Sequence, residues 1–258
     1  MSAGEVLAAA RAVADDRTRG AAALASALAP ILVRARAESP DALDEIARLV
    51  RAGQPVMAGL HHLVAAALAD RAAPGRLAQA LRAVERAPAA LARLGAGAIR
   101  HEAHRRPLRL VTWSGSGSVA AAILAAAPAE PLQVTLGEGR PAMEGTRLAL
   151  DLSSAGVAVE VLEDGAVTTA LPSASAVVIG ADAVGRDGFI NKAGSLGLAA
   201  AAQRLGVPVL VLATRDKYVR RLPEIPPGHL FERVPLDLVS HFVTESAVLA
   251  PEHLDEIP

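Results

Sequence analysis

Three short stretches of this chain bring together residue types that could do chemistry. The first, Ser114-Gly115-Ser116-Gly117-Ser118, follows the apolar run Leu108–Trp113 and opens a helical stretch, Val119–Ala127. Glycines let a backbone turn sharply, and the unpaired amides of a helix start, backed by the positive end of the dipole, attract an anion such as phosphate. The same letters also fit a plain Gly/Ser turn with a serine cap. In the second, residues 137–152, Arg140 stands before Pro141 and Glu144 before Gly145. An arginine at a strand end suits forked recognition of phosphate or carboxylate, and the alternative is a solvated turn. In the third, residues 180–202, Asp182 ends an apolar run and Asn191-Lys192 precede a helix that begins at a glycine. A carboxylate, a lysine and helix-start amides together could handle a polyol phosphate, although Asp182 alone could cap a turn and Lys192 could be solvated.

Composition narrows the chemistry. Cysteine is absent from the 258 residues, which removes disulfides, thiolate metal sites and a cysteine nucleophile. A formal charge of −1 with interspersed signs leaves no basic surface for nucleic acid. The opening residues carry charges every few positions and resemble neither a signal peptide nor a membrane span, so a cytoplasmic protein without a membrane partner is expected. No metal and no cofactor are expected. One rival remains: Gly115, Gly117 and Ala120 fit a dinucleotide fingerprint, with Glu138 placed to hold a ribose. Lysine occurs only at 192 and 217, while arginine carries the remaining positive charge.

The elements that must position these residues fall into two halves. Residues 1–106 show Ala, Leu and Arg at helical spacing, predicting about five helices with breaks near Pro30, Ser39-Pro40, Gly53 to Pro55, Pro74-Gly75 and Pro88. From residue 107 to 258, short apolar runs alternate with helix-length segments: Leu108–Trp113, Leu132–Leu136, Val157–Leu162, Ala176–Ile179, Val207–Ala213 and His241–Thr244. That alternation predicts an α/β, doubly wound parallel sheet with ligands bound beyond the carboxyl ends of its strands. With aromatics at 2%, the core must be built from Ala, Leu and Val.

Taken together, these segments resemble one family: 5-methylthioribose-1-phosphate isomerase, ribose-1,5-bisphosphate isomerase and the alpha, beta and delta subunits of translation initiation factor 2B. Asp16-Arg17-Thr18-Arg19-Gly20 resembles the family's Arg-Gly segment of the sugar-phosphate pocket, and Val111–Ser116 resembles its Thr-His-Cys-Asn-Ser segment. Gly139-Arg140-Pro141 with Glu144-Gly145, Gly180-Ala181-Asp182, and Asn191-Lys192-Ala193-Gly194 are similar to further family motifs. The tail, Lys217–Arg220 and His241–Glu245, resembles the initiation-factor branch more closely. The resemblance implies a helical N-terminal domain, a Rossmann-like C-terminal domain, a homodimer formed largely through the latter, and a phosphorylated small-molecule ligand. It also implies that Arg19, Gly20, Gly115, Ser116, Gly117, Arg140, Glu144, Asn191 and Lys192 bind that ligand, with Asp182 and Ser114 at the reacting carbons.

Two departures bear on activity. The isomerases carry cysteine at the Ser114 position, where it moves protons together with the aspartate at the Asp182 position; an alcohol needs an adjacent base to lose its proton. Gln54-Pro55 stands where the isomerases have Arg-Pro, which removes one charge-assisted phosphate contact. His61 and His62 follow and could supply a base, or could be ordinary surface histidines. The implied function is therefore binding of a sugar or nucleotide phosphate, with aldose–ketose isomerisation open, and the alternatives are a non-catalytic regulatory subunit or a nicotinamide enzyme.

Overall fold

Helical spacing of apolar residues folds the first half into α1 (Ala3–Asp15), α2 (Ala21–Glu38), α3 (Leu43–Gly53), α4 (Ala58–Ala69) and α5 (Arg76–Glu102). The computed structural model describes residues 2–256 apart from 104, 105, 130 and 229. Two expected breaks are absent, because α2 runs through Pro30 and α5 through Pro88. Both prolines face solvent, where water can satisfy the carbonyl each one frees, and burial of Leu24, Leu28, Leu32 and Leu91 on the opposite faces holds the helices together. A break that the sequence reading did not place falls instead at residues 16–20, between α1 and α2.

The second half follows as β1 (Leu108–Thr112), α6 (Gly117–Ala126), β2 (Leu132–Gly137), α7 (Glu144–Ser154), β3 (Ala158–Leu162) and β4 (Ala176–Gly180). Next come β5 (Ala183–Gly185), β6 (Gly188–Lys192), α8 (Ser195–Arg204), β7 (Val209–Leu212), β8 (Phe231–Val234), β9 (His241–Val243) and β10 (Val248–Leu249). Seven strands form one sheet in the order β10-β9-β7-β4-β1-β2-β3, parallel except for β10. All five residues of β4 are buried, as a central strand covered on both faces requires. The strand order reverses between β1 and β4, and that switch point is where a doubly wound sheet leaves a crevice.

Helix α5 joins the two halves. Leu91, Ala96 and Ile99 on its later turns enter the same core as Leu110, Val134 and Val178 of the sheet. Small side chains make the approach close, since a Cβ on Gly95 would come 2.8 Å from the Ala122 methyl of α6. What reads in the sequence as one loop after β4 is in fact a second sheet, antiparallel, in the order β5-β6-β8. Asn191 and Lys192 thus end a strand and are not loop residues. No helix among the described residues is long and apolar enough to cross a membrane.

Candidate functional site

At the switch point a cavity of about 500 Å³ opens between the helical half and the carboxyl ends of the strands. Its floor is the loop after β1. Ser114 is buried and adopts φ 57, a left-handed conformation costly for a residue with a Cβ, and its hydroxyl bonds to no atom of the described residues. Ser116 caps α6 by accepting from the Val119 amide at 3.4 Å. The amides of Gly117 and Ser118 donate to no described atom and line the cavity. Gly180, at the end of β4, lies so close to this loop that a Cβ would come 2.6 Å from the Ser116 hydroxyl.

The opposite wall belongs to the helical half. Gly20 is the N-cap of α2, and Ala21, Ala22 and Ala23 in its first turn line the cavity, so two helix N-termini face one space. The loop before α2 is tied to Asp16, whose carboxylate accepts from the Thr18 amide at 2.7 Å, the Arg19 amide at 3.0 Å and Arg19 Nε at 2.7 Å. Burial pushes the Asp16 carboxyl up, but the hydrogen bonds from Thr18 and Arg19 outweigh it and hold its pKa well below the ordinary aspartate value. Gln54 is buried and donates to Asp16 O at 2.6 Å and Ala14 O at 3.1 Å. Its amide therefore fastens the Asp16–Gly20 loop. His61 is turned aside, with Nε2 2.8 Å from Gln54 O, and burial lowers its pKa; His62 is exposed.

Asp182 stands two residues beyond the end of β4. Its amide donates to Ile190 O at 2.8 Å and its carbonyl accepts from Ala58 N at 3.1 Å, so hairpin and α4 fix the backbone while the carboxyl is left without a hydrogen bond among the described residues. Burial raises its pKa, and the charges of Lys217 and Lys192 pull the other way. Lys192 Nζ is 2.7 Å from Glu144 Oε1, with both side chains largely buried, while Glu144 Oε2 is buried without a partner among the described residues.

Of the residues singled out in the sequence, Arg19, Gly20, Ser114, Gly115, Ser116, Gly117, Glu144, Asp182, Asn191 and Lys192 all line this cavity. Arg140 does not: its Nε is held by Glu138 Oε2 at 2.7 Å and its amide by Asp164 Oδ2 at 2.9 Å, which turns the guanidinium to solvent. The same pairing occupies Glu138, the carboxylate that a dinucleotide would need for its ribose. Two amides at the start of α8 are also spent, because Glu232 Oε1 of β8 accepts from Gly194 N and Leu196 N, each at 2.7 Å. Asn191 contributes to the same corner through Ser195 Oγ at 2.9 Å. Gln54, read from the sequence as standing at the phosphate pocket, lines the cavity, whereas Arg17 and Lys217 line it without having been assigned to the site. For Lys217 a signal existed, since it is one of only two lysines in an arginine-rich chain.

The family model described as the Initiation factor 2 subunit family matches residues 11–240. A methylthioribose-1-phosphate isomerase of Gemmatimonas aurantiaca is 31% identical over 177 residues, 55% of this chain and 52% of that protein. A putative translation initiation factor eIF-2B subunit 2-like protein of Pyrococcus horikoshii is 31% identical over 183 residues, 69% of this chain and 64% of that protein. The chain spans about half the length of the Gemmatimonas isomerase and 30% of a ribose 1,5-bisphosphate isomerase of Haloterrigena turkmenica. Among solved structures, the translation initiation factor eIF-2B of Pyrococcus horikoshii OT3 superposes with a TM-score of 0.85 at 27% identity, covering 98% of this chain and 99% of that one.

Proposed function

Since the chain belongs to the initiation factor 2 subunit family, we propose that its cavity binds a phosphorylated sugar. The observation that carries this reading is the convergence of two helix N-termini on one cavity that also holds Asp182, Lys192 and Lys217. Unpaired amides on one side suit a phosphate; a carboxyl and ammonium groups on the other suit hydroxyls. Arg17 and Arg19 stand exposed at the mouth, where they favour the approach of an anion. Isothermal titration with ribose 1-phosphate and with inorganic phosphate tests it: both bind, the sugar phosphate more tightly. Absence of heat with either refutes the reading.

Asp182 favours a second step, proton transfer between C1 and C2 of an aldose 1-phosphate. It is a partly buried carboxyl whose pKa burial raises, without a hydrogen bond among the described residues and open to the cavity, features that suit a group that takes and returns a proton. Ser114 is the weak partner, because no base among the described residues is bonded to its hydroxyl. Turnover of ribose 1-phosphate to the ketose is therefore slow in the native protein, is raised by Ser114→Cys and is abolished by Asp182→Asn with phosphate affinity kept. If neither the native protein nor Ser114→Cys turns over, the cavity serves binding alone, as a regulatory subunit would use it.

A further inference from the structure

Two helix starts face the cavity, yet they make one anion site. The start of α2 lies against the loop before α6, since a Cβ on Gly20 would come 3.8 Å from Gly115 O. A single phosphate set between them takes the positive ends of both dipoles. Elsewhere the fixed charges that line the cavity cancel within the chain. Arg19 Nε is 2.7 Å from Asp16 Oδ2, and Lys192 Nζ is 2.7 Å from Glu144 Oε1. Lys217 donates to Ala181 O at 2.6 Å, and its charge acts on the carboxyl of Asp182. Arg17 is the remaining cation of the lining among the described residues, and it is exposed at the mouth, where water and salt screen it.

Glu144 decides this balance. Its Oε1 accepts from Lys192, while its Oε2 is buried with no partner among the described residues. A desolvated carboxylate oxygen without a donor is costly, and a neutral amide of the same shape would bear less of that cost. What the carboxylate does, and an amide cannot, is cancel the charge of Lys192, whose side chain is itself only 14% exposed. Lys192 therefore keeps no free charge to offer an anion. Glu144 also packs against the phosphate loop, because a Cβ on Gly115 would come 2.9 Å from the Glu144 Cβ. A second phosphate near Lys192 would meet this carboxylate in place of a free ammonium. We infer that the cavity takes sugars carrying one phosphate, and that Glu144 excludes a second one by neutralising Lys192. The inference rests on the sugar-phosphate reading above and names the ligand class within it.

Calorimetric titration of the full chain with ribose 1-phosphate and with ribose 1,5-bisphosphate tests it, in the native protein and in Glu144→Gln. The native protein binds the monophosphate more tightly, by about tenfold, the scale of one charge-assisted contact. Glu144→Gln keeps the shape, frees the charge of Lys192 and raises the ratio of bisphosphate to monophosphate affinity by about tenfold. Adding Lys192→Met to Glu144→Gln abolishes that gain, because the cation it releases is gone. A native protein that binds the bisphosphate as tightly as the monophosphate overturns the inference and leaves the sugar-phosphate reading standing. So does a ratio that Glu144→Gln leaves unchanged, which would assign the preference to the size of the cavity. If the native protein binds neither ligand, both readings fall. The comparison of the two ligands in the native protein needs no variant, and it decides the matter if Glu144→Gln does not fold.

Discussion

Two strand-to-helix corners, β1 into α6 and β6 into α8, use the same ingredients and end in opposite states. Each has a Gly/Ser turn at the end of a strand and a short alanine-rich helix beyond it. At the α8 corner the fold supplies a partner for the groups the turn leaves open: Glu232 takes the Gly194 and Leu196 amides, Trp113 Nε1 donates to Ala193 O at 2.8 Å, and Ser195 Oγ donates to Lys192 O at 2.6 Å. At the α6 corner Ser114 and the amides of Gly117 and Ser118 are left facing the cavity. The positive end of α8 is consumed by the chain's own carboxylate, and that of α6 is kept for a ligand. A helix start is thus a binding site only where nothing else in the fold reaches it.

The sharpest way to break the closed corner is Gly194→Ala. Gly194 has φ +103, and a Cβ there would run into the Trp113 ring, which its own hydrogen bond to Ala193 O prevents from stepping aside. The expected cost is roughly 3 kcal/mol or more, at about 2–4 °C of melting temperature per kcal/mol for a chain of this size, read by thermal denaturation. A smaller loss, about 2 kcal/mol, is expected from Glu232→Ala, which strands two amides at the start of α8. If the corners are as separate as their hydrogen bonds indicate, Glu232→Ala leaves inorganic phosphate affinity within about twofold, because the α6 cradle is untouched. A parallel fall in phosphate affinity would show that the two corners share one site.

This contrast also sets the limit of what the sequence displays. Every strand of the parallel sheet, β1, β2, β3, β4, β7 and β9, stands out as an apolar run, and the Gly/Ser loop and Asp182 stand out at strand ends, because these are local patterns. The small antiparallel sheet is illegible, since β8 pairs with β6 from about 40 residues away. For the same reason nothing near α8 reveals that Glu232 will occupy its N-terminus, or that Glu138 and Asp164 will hold Arg140 out of the cavity. Proline at 30 and at 88 is a local signal for a break, and it loses to the burial of the opposite helix face. Residue type and strand-end position are written locally, whereas whether a polar group is spent or free is decided by partners distant in the chain.

The finest version of the comparison sets two aspartates of the same cavity against each other. Asp16 is satisfied by four hydrogen bonds and its pKa is depressed, so the folded state holds the ionised form; its stabilisation is present above the unfolded value of 3.8 and is lost as pH falls below it. Asp182 is the reverse. Burial without a hydrogen bond raises its pKa, so the folded protein grips the proton more tightly than the unfolded chain does, and stability declines as pH rises through 3.8 towards the folded value. Asparagine at either position removes the titration and keeps the shape. Asp16→Asn should therefore lower the melting temperature at pH 7, and Asp182→Asn should raise it, with the Asp182→Asn gain vanishing once the pH drops below 3.8. The Asp182 effect is the smallest of those predicted here, because Lys217 and Lys192 offset part of the burial cost. Melting curves of the three proteins from pH 3 to pH 8 decide it. A lower melting temperature for Asp182→Asn at neutral pH would mean that the ionised carboxylate is a structural group with partners in the fold. A higher one means that the protein gives up stability to keep an unpartnered acid in its cavity, which a residue that only capped a turn would not require.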